Sequence, residues 1–234
     1  MSINNESELR GLQEASKAVA YTLKAIIDFA KPGISTKELD NFGGKILADF
    51  GAKSAPYLTY GFPGWTCISV DNEFCHGIPS EKRILKEGDL INIDVSAELN
   101  GFWADNGSSL VIGKNFHQHQ KLVDASKEIL KKAINNIKGG VKISDIGHLM
   151  ETEAKKRGYK VITNLGGHGI GRSLHDSVVA IETFISTSSS IAHTTNDGWT
   201  MIGNKGGFMA QHEHTIVITD GKPIILTEMN EIWN

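Results

Sequence analysis

Two acidic residues of this 234-residue chain lie inside stretches that are otherwise apolar. Asp94 is surrounded by isoleucine and valine, and Glu182 lies in a similar stretch, residues 178–184. Both carboxylates are therefore expected to be buried, where an unpaired charge is strongly destabilising. Apart from Arg172 and Lys205, no lysine or arginine is close to them in sequence. A basic side chain or a bound cation must compensate each charge.

A larger set of potential metal ligands includes these two acids. It contains four acids and three histidines: Asp94, Asp105, Glu182, Glu213, His76, His168 and His175. Four crowded carboxylates repel one another unless divalent cations neutralise them, and four acids with one histidine suit two ions better than one. Mixed carboxylate and imidazole ligands favour Mn, Fe, Co or Zn. Such a two-metal site would activate a water and bind a carbonyl or phosphoryl group.

Each of these residues alone also has a simpler structural interpretation. A single acid in a strand is more often an edge or surface residue, and a single histidine is usually structural. The remaining histidines receive that interpretation here: His117, His119, His148, His193, His212 and His214. The metal hypothesis therefore depends on the ordered set and not on any one member.

The helices that would position these residues occur twice in the chain. The segments that begin at Lys31 and Lys138 align without a gap at an offset of 107, which pairs Gly33 with Gly140. Apolar residues recur at i, i+3 and i+4 in both segments, which predicts one amphipathic helix in each. Two half-repeats, approximately 12–113 and 117–226, follow from this alignment within a single domain, residues 1–234.

The repeat continues into segments that read as strands. Residues 75–79 and 167–171 share a His-Gly-Ile core, and an acid in an apolar strand follows each one, first Asp94 and then Glu182. A second acid follows in each half. The order predicts an α/β (α+β) fold with two pseudo-symmetric halves, the sheet inside and the helices outside. An approximate twofold axis would bring both sets of polar residues to one central cleft.

The composition excludes several classes of protein. Hydrophobic residues make up 40% of the chain and charged residues 22%, as in ordinary soluble domains. The formal net charge of −3 argues against direct nucleic-acid binding. No apolar run approaches the ~20 residues that span a bilayer, and the polar N-terminus is unlike a secretory signal. The two cysteines, Cys67 and Cys75, fit a reduced cytoplasm.

Six motifs around these residues carry a specific resemblance. They are 62–64 (FPG), 66–70 (TCISV), 76–79 (HGIP), 88–95 (GDLINIDV), 167–172 (GHGIGR) and 211–215 (QHEHT). Together they resemble the bacterial, type I methionine aminopeptidases, over residues 7–226. The resemblance implies the pita-bread fold, with a central curved antiparallel β-sheet and outer helices. It also implies an enzyme that removes the first methionine from new proteins.

The resemblance assigns the metal ligands position by position. Asp94 alone would hold the second metal, while Asp105 and Glu213 would bridge two divalent ions. His168 and Glu182 would complete the ligand set of the first metal. The resemblance therefore implies two divalent ions, and Mn, Fe, Co and Zn all remain candidates for the metal.

The resemblance also implies catalytic and substrate-binding roles. Glu182 would act as the general base for the attacking water. His76 would lie near the first peptide nitrogen of the substrate, and His175 near the scissile carbonyl. The pocket for the methionine side chain would be lined by Phe62, Cys67 and Trp199.

The implied partners are nascent polypeptides with an N-terminal methionine, which the protein would bind at the ribosome. The implied protein is a cytoplasmic monomer, without a membrane or a directly bound nucleic acid.

The chain departs from the family pattern between His175 and Glu182. The numbering of these two differs by only 7, whereas that of His76 and Asp94 differs by 18, and relatives place a longer loop in the later interval. A short loop would open one wall of the cleft. Alternatively, residues near Asp176 are missing from the sequence, which we favour because the strand pattern resumes directly afterwards. Substitutions relative to the family also occur at 106, 176 and 183, but none removes a proposed ligand.

Three rival functions remain at this point. A prolidase or aminopeptidase P of the same fold usually has a large additional N-terminal domain, and only a short segment, 1–61, precedes the first catalytic-type motif here. A catalytically impaired pita-bread binding module would usually lose metal ligands, and all five are present. A phosphate-binding role is the third rival, but the Gly-rich segment 166–171 lacks the Lys-Ser/Thr of a P-loop.

Overall fold

A computed structural model describes residues 3, 5–173 and 178–233. The described residues form five α-helices: α1 (Glu6–Phe29), α2 (Thr36–Asp49), α3 (Ala55–Tyr60), α4 (Gln120–Asn135) and α5 (Ile143–Lys156). They also form twelve strands: β1 (Lys53–Ser54), β2 (Cys67–Val70), β3 (Glu73–Cys75), β4 (Leu90–Leu99), β5 (Phe102–Val111), β6 (Lys160–Val161), β7 (His168–Ile170), β8 (Val178–Ser186), β9 (Ala192–Thr194), β10 (Met201–Gly203), β11 (Met209–Val217) and β12 (Ile224–Ile225). A 3₁₀ helix covers Glu228–Asn230.

Nine of these strands form one antiparallel sheet with the order β1-β4-β5-β11-β8-β6. Strand β2 pairs with β4, β7 with β8, and β12 with β11. Apolar side chains of β4 pack with those of α1, α2 and α4 in the largest core cluster, which includes Ile91, Ile93 and Val95. The predicted central sheet with outer helices is confirmed. A separate three-stranded sheet, β3-β10-β9, was not anticipated from the sequence.

The internal repeat is visible in the element boundaries. Helices α2 and α5 both have 14 residues and begin at positions 36 and 143, an offset of 107. Strands β1 and β6 keep the same offset, and each pairs with a long strand four positions beyond its acid: Lys53 with Glu98, and Lys160 with Ser186. Asp94 and Glu182 therefore occupy equivalent positions.

The two acids are offset by only 88 in the numbering, whereas the preceding elements are offset by 107. The second half is consequently shorter between β6 and β8 than the first half is between β1 and β4, by the difference of these two offsets. Part of the difference lies in the β7–β8 connection. Ile170 pairs with Val178 across this connection.

The histidine motifs of the two halves occupy different sheet positions. Strand β7, which contains His168, pairs directly with β8. In the first half, β2 pairs with β4, and the chain then continues to Cys75, which pairs with Met201 of the smaller sheet. The sequence similarity between 75–79 and 167–171 therefore does not extend to their strand partners.

The two halves meet where β5 lies against β11. Side-chain hydrogen bonds form a large part of this junction. Among the described residues, His212 and Ser108 are the one pair of strand partners there. The Thr215 hydroxyl instead accepts from the Asp105 amide (3.0 Å) and donates to the Asp105 carbonyl (2.7 Å). These two bonds satisfy the backbone of a proposed metal ligand and fix its place at the junction. Among the described residues, no helix has the length and apolar character needed to cross a bilayer.

Candidate metal centre

Three of the proposed ligands converge from three strands. Potential ligand atoms of Asp105 (β5), His168 (β7) and Glu213 (β11) all lie within 4.8 Å of one another. His168 Nε2 is 3.6 Å from Asp105 Oδ2 and 4.0 Å from Glu213 Oε1. His168 Nδ1 is 3.0 Å from the Gly169 carbonyl, a bond that directs Nε2 toward the carboxylates. The three side chains therefore form a compact N,O donor set.

Asp94 and Glu182 border this cluster. Glu182 is directly opposite Glu213 in the β8–β11 pairing, and Asp94 lies close enough to Asp105 for the two carboxyl groups to interact. Burial raises the pKa of Asp94 well above its ordinary value, and the neighbouring Asp105 and Glu182 raise it further. The structure thus brings all five proposed ligands to one region.

The electrostatics of the region favour a compensating cation. Burial raises the pKa of Glu182 to about 7 and that of Glu213 well above its usual range, with Asp105 contributing to both shifts. Burial disfavours the charged His168 ring, but the hydrogen bond and charge of Asp105 outweigh it and raise the His168 pKa to about 9. Without metal, the acids therefore hold protons that ionised carboxylates in water would not.

Two buried carboxylate oxygens without hydrogen-bond partners support the same conclusion. Within the described chain, the buried atoms Asp105 Oδ1 and Glu213 Oε1 have no hydrogen-bond partner. A buried carboxylate oxygen without a partner is destabilising, and a divalent cation would satisfy it. The donor chemistry and these two atoms fit a metal centre.

A pair of amides, missed from the sequence, joins the two halves beside the acids. Gln211 Nε2 donates to Glu182 Oε2 (3.1 Å) and to Glu213 Oε2 (3.0 Å). Gln211 Oε1 accepts from Asn92 Nδ2 at 2.8 Å. Gly107 makes room, since a Cβ there would lie 2.3 Å from Gln211 Oε1. The sequence contained a signal for these two amides, because Asn92 and Gln211 each lie two positions before an acid and therefore on the same strand face.

Of the two proposed catalytic histidines, the structure describes only His76. Its φ of +55° lies in the left-handed region, and the backbone of Ile68 approaches the next residue, Gly77, too closely for a Cβ. Burial lowers the pKa of His76, and the charge of Asp105 opposes that shift. His175 lies outside the described residues.

The three residues of the proposed methionine pocket lie on three separate segments. Phe62 and Trp199 meet edge to face, with ring centroids 5.2 Å apart. Cys67 is directly opposite Asp94 in the β2–β4 pairing, and burial, with the charge of Asp94, raises the pKa of its thiol. The structure therefore places Cys67 beside one of the proposed metal ligands and Phe62 against Trp199.

Two aspartates hold the segments that carry these aromatic rings. Asp40 Oδ1 accepts from the amides of Trp65 (2.8 Å) and Thr66 (2.9 Å). Asp197 Oδ1 accepts from the amides of Trp199 and Thr200 at 2.8 and 2.9 Å. Burial opposes ionisation of Asp197, but hydrogen bonds outweigh it and lower its pKa to about 2.

Comparison with known proteins identifies the family. Residues 10–220 match the model of metallopeptidase family M24. The chain belongs to this family. A methionine aminopeptidase 2 of Bacillus subtilis is 42% identical to this M24 chain, across 98% of the chain and all of the relative. A methionine aminopeptidase of Staphylococcus epidermidis is 36% identical over 99% of the chain. The resemblance inferred from the motifs is confirmed.

Solved M24 structures share the fold. A methionine aminopeptidase of Thermotoga maritima superimposes with a TM-score of 0.91 at 30% identity, covering 97% of this chain and 99% of that one. The prolidase of Pyrococcus furiosus shares the fold alone, with a TM-score of 0.76, 20% identity and 65% of its own length covered. The pita-bread fold is confirmed, and the prolidase alternative is not favoured.

The relatives also bear on the length of the β7–β8 connection. The alignment with the Bacillus subtilis protein spans 249 positions, which is more than the 234 residues of this chain, so part of the relative has no counterpart here. This agrees with the shorter second half between β6 and β8. The segment 174–177, where the sequence suggested that residues are missing, lies outside the described residues.

Proposed function

We propose that this M24 chain is a metal-dependent methionyl aminopeptidase that removes the N-terminal methionine from nascent polypeptides. The observation that carries the proposal is the cluster of Asp105, His168 and Glu213, in which two buried carboxylate oxygens lack partners. The relatives of this chain are methionine aminopeptidases along its whole length.

The five proposed ligands would hold two divalent ions, with Mn, Fe, Co and Zn as candidates. Asp105 and Glu213 would bridge them, His168 and Glu182 would complete one site, and Asp94 the other. The ions, when bound, supply a water of lowered pKa and an electrophile for the carbonyl oxygen. The mixture of carboxylates and one imidazole supports first-row metals over Mg or Ca.

The chain's own residues would bind the substrate and move its protons. Glu182 would take the proton of the attacking water, since its carboxylate is held by Gln211 at one oxygen only. His76 would assist the departing amine, and His175 would donate to the oxyanion that develops on the scissile carbonyl. The Phe62–Trp199 contact and Cys67 would enclose the methionine side chain, because a flexible thioether suits an apolar wall.

The setting of this reaction is also part of the proposal. A cytoplasmic monomer would meet its substrates as they leave the ribosome. Two free, buried cysteines support a reducing compartment.

The deciding experiment measures release of free methionine from a Met-Gly peptide, with and without added Mn or Co. Asp94→Asn should abolish metal-dependent release, because the second site loses its own carboxylate. Asp49→Asn makes the same change on the exposed end of α2 and should leave the rate unchanged. If the folded protein releases no methionine with any metal, the peptidase proposal is wrong and the binding-module alternative replaces it.

A further inference from the structure

Two polar residues that directly follow proposed metal ligands face away from the metal centre. Successive side chains of a strand alternate between its two faces, so His214 and Asn106 point to the side opposite Glu213 and Asp105. Both are fully buried. Each bonds to the same segment, residues 226–233, which we call the strap. The strap therefore contacts the sheet on the face opposite these two ligands.

Thr227 connects the strap to two consecutive residues of β11. The Thr227 side chain is fully buried. Its hydroxyl oxygen accepts from the Thr215 amide at 3.1 Å and lies 2.8 Å from His214 Nδ1. Thr215 in turn holds the backbone of Asp105 through its own hydroxyl. The Thr227 hydroxyl thus supports the residue next to Glu213 and, through Thr215, the backbone of Asp105.

Asn230 makes a second connection, from the strap to β5 and β4. Asn230 Nδ2 donates to Asn106 Oδ1 at 2.9 Å, and Asn106 Nδ2 donates to the Val95 carbonyl at 3.1 Å. The Ile232 amide donates to Asn230 Oδ1 at 3.3 Å, which fixes the orientation of the Asn230 amide group. Asn106 and Val95 each directly follow a proposed metal ligand. One chain of side-chain amides therefore joins the strap to the backbone beside both ligands.

Apolar and aromatic contacts anchor the strap itself. Ile232 is buried in the main core cluster, and Trp233 packs against the same cluster. The Trp233 ring lies against the His214 ring, with centroids 4.8 Å apart. Lys131 Nζ lies 5.6 Å from the centroid of the Trp233 ring. These contacts are separate from the hydrogen bonds of Thr227, so the strap can hold the strands from a fixed position.

We propose that Thr227 and Asn230 are positioning residues for the metal centre. They act through the residues that directly follow Asp94, Asp105 and Glu213. Metal binding requires these acids to ionise, and ionised carboxylates that crowd together repel one another. The hydrogen bonds from the strap oppose that repulsion and keep the ligands at the spacing that an ion needs. The inference rests on the proposed function, because it assigns both residues to the centre of that reaction.

The test separates positioning from stability by a matched set of variants. Thr227→Val removes the hydroxyl and keeps nearly the same side-chain shape, whereas Thr227→Ser keeps the hydroxyl. Ile232→Ala removes buried apolar contacts of the strap but leaves its hydrogen bonds in place. Thr227→Val leaves buried groups unsatisfied and Ile232→Ala creates a cavity, so both should lower the melting temperature of the metal-free protein. Metal binding is then compared at a temperature at which every variant is folded.

Isothermal titration of the metal-free proteins with Mn measures the positioning effect. The Kd of Thr227→Val should rise about 10-fold, the lower end of the range for groups that support metal ligands. Thr227→Ser and Ile232→Ala should keep the wild-type Kd. The visible absorption of bound Co reports ligand geometry and should change in Thr227→Val but not in the other two variants. If Thr227→Val does not fold, Asn230→Ala replaces it, with the same expected rise in Kd because Asn106 loses its donor.

The outcomes distinguish this inference from the proposed function. A wild-type Mn affinity in Thr227→Val, or an equal loss of affinity in Thr227→Ser or Ile232→Ala, would overturn the positioning role. Release of methionine from a Met-Gly peptide by the wild type would still sustain the peptidase. If the wild type binds Mn but releases no methionine, the peptidase proposal fails and the titrations still decide the positioning role. A wild type that binds neither Mn nor Co overturns both.

Discussion

At the scale of single residues, the centre depends on neutral side chains as much as on acids. Gln211 donates to Glu182 and Glu213 at once, and Asn92 of the other half orients Gln211 through its carbonyl oxygen. Each carboxylate therefore keeps one oxygen in a fixed direction before any ion binds. Such supporting hydrogen bonds hold ligands in the geometry that the metal needs.

Replacing Gln211 by leucine should weaken metal binding by about 10- to 100-fold. The substitution removes both N–H donors to the acids and leaves Asn92 Nδ2 with Ser109 Oγ (3.2 Å) as its remaining acceptor. Isothermal titration of the metal-free protein with Mn measures the change. Gln13→Leu on the exposed face of α1 is the control. Unchanged affinity in Gln211→Leu would contradict a positioning role.

The sequence identified the acids but not the amides, for a physical reason. A carboxylate inside an apolar strand is conspicuous because burying its charge is costly. An amide in the same strand needs only hydrogen-bond partners, and those of Gln211 include Asn92, from the other half of the chain. Only the fold brings these two residues together.

At the scale of elements, Asp40 joins α2 to the segment that carries the proposed methionine pocket. Its side chain is fully buried, and Oδ1 accepts from two amides and from the Thr66 hydroxyl. Lys37 Nζ lies 2.7 Å from the other oxygen. The stripe of apolar residues predicted α2, but nothing in that stripe indicated what the buried aspartate would contact.

Asp40→Ala should lower the free energy of unfolding by about 2–5 kcal/mol, because it leaves buried donors at positions 65 and 66 unsatisfied. The KM for Met-Gly peptides should rise as well, since Phe62 lies just before those donors. Urea unfolding and steady-state kinetics measure the two effects. Asp49→Ala, on the exposed end of the same helix, should change neither. Lower stability with an unchanged KM would limit Asp40 to a structural role.

At the scale of the whole molecule, metal binding and folding should be linked through pH. Without metal, the folded state raises the pKa of Glu182 to about 7 and raises those of Asp94 and Glu213. The folded protein then holds protons that the unfolded chain releases above about pH 4.5. This stability is present at lower pH and is lost as the pH rises through 7. His168, with its pKa raised to about 9, acts in the same direction.

The melting temperature of the metal-free protein should therefore decrease as the pH is raised from 5 to 8. Added Mn at a hundredfold excess over Kd should raise it by about 5–10 °C at pH 8, and by less at pH 5, where protons compete for the ligands. Thermal unfolding at both values, with Mg as the comparison ion, measures the difference. An equal metal-induced shift at the two pH values would contradict this linkage.

The overall architecture could be predicted because it is repeated. The alignment of the segments at Lys31 and Lys138 located α2 and α5, and the acids in apolar strands located β4 and β8. The sheet β3-β10-β9 and helix α3 could not be found in this way. Their strands and helix are short, from three to six residues, and tertiary contacts decide their conformation.

The short connection in the second half also affects how the chain assembles. Twenty residues, 71–90, separate the paired ends of β2 and β4, whereas seven, 171–177, separate those of β7 and β8. Because loop-closure entropy grows with the logarithm of length, closing the shorter connection costs about 0.9 kcal/mol less. The β7–β8 pairing is thus the easier of the two to form from the unfolded chain.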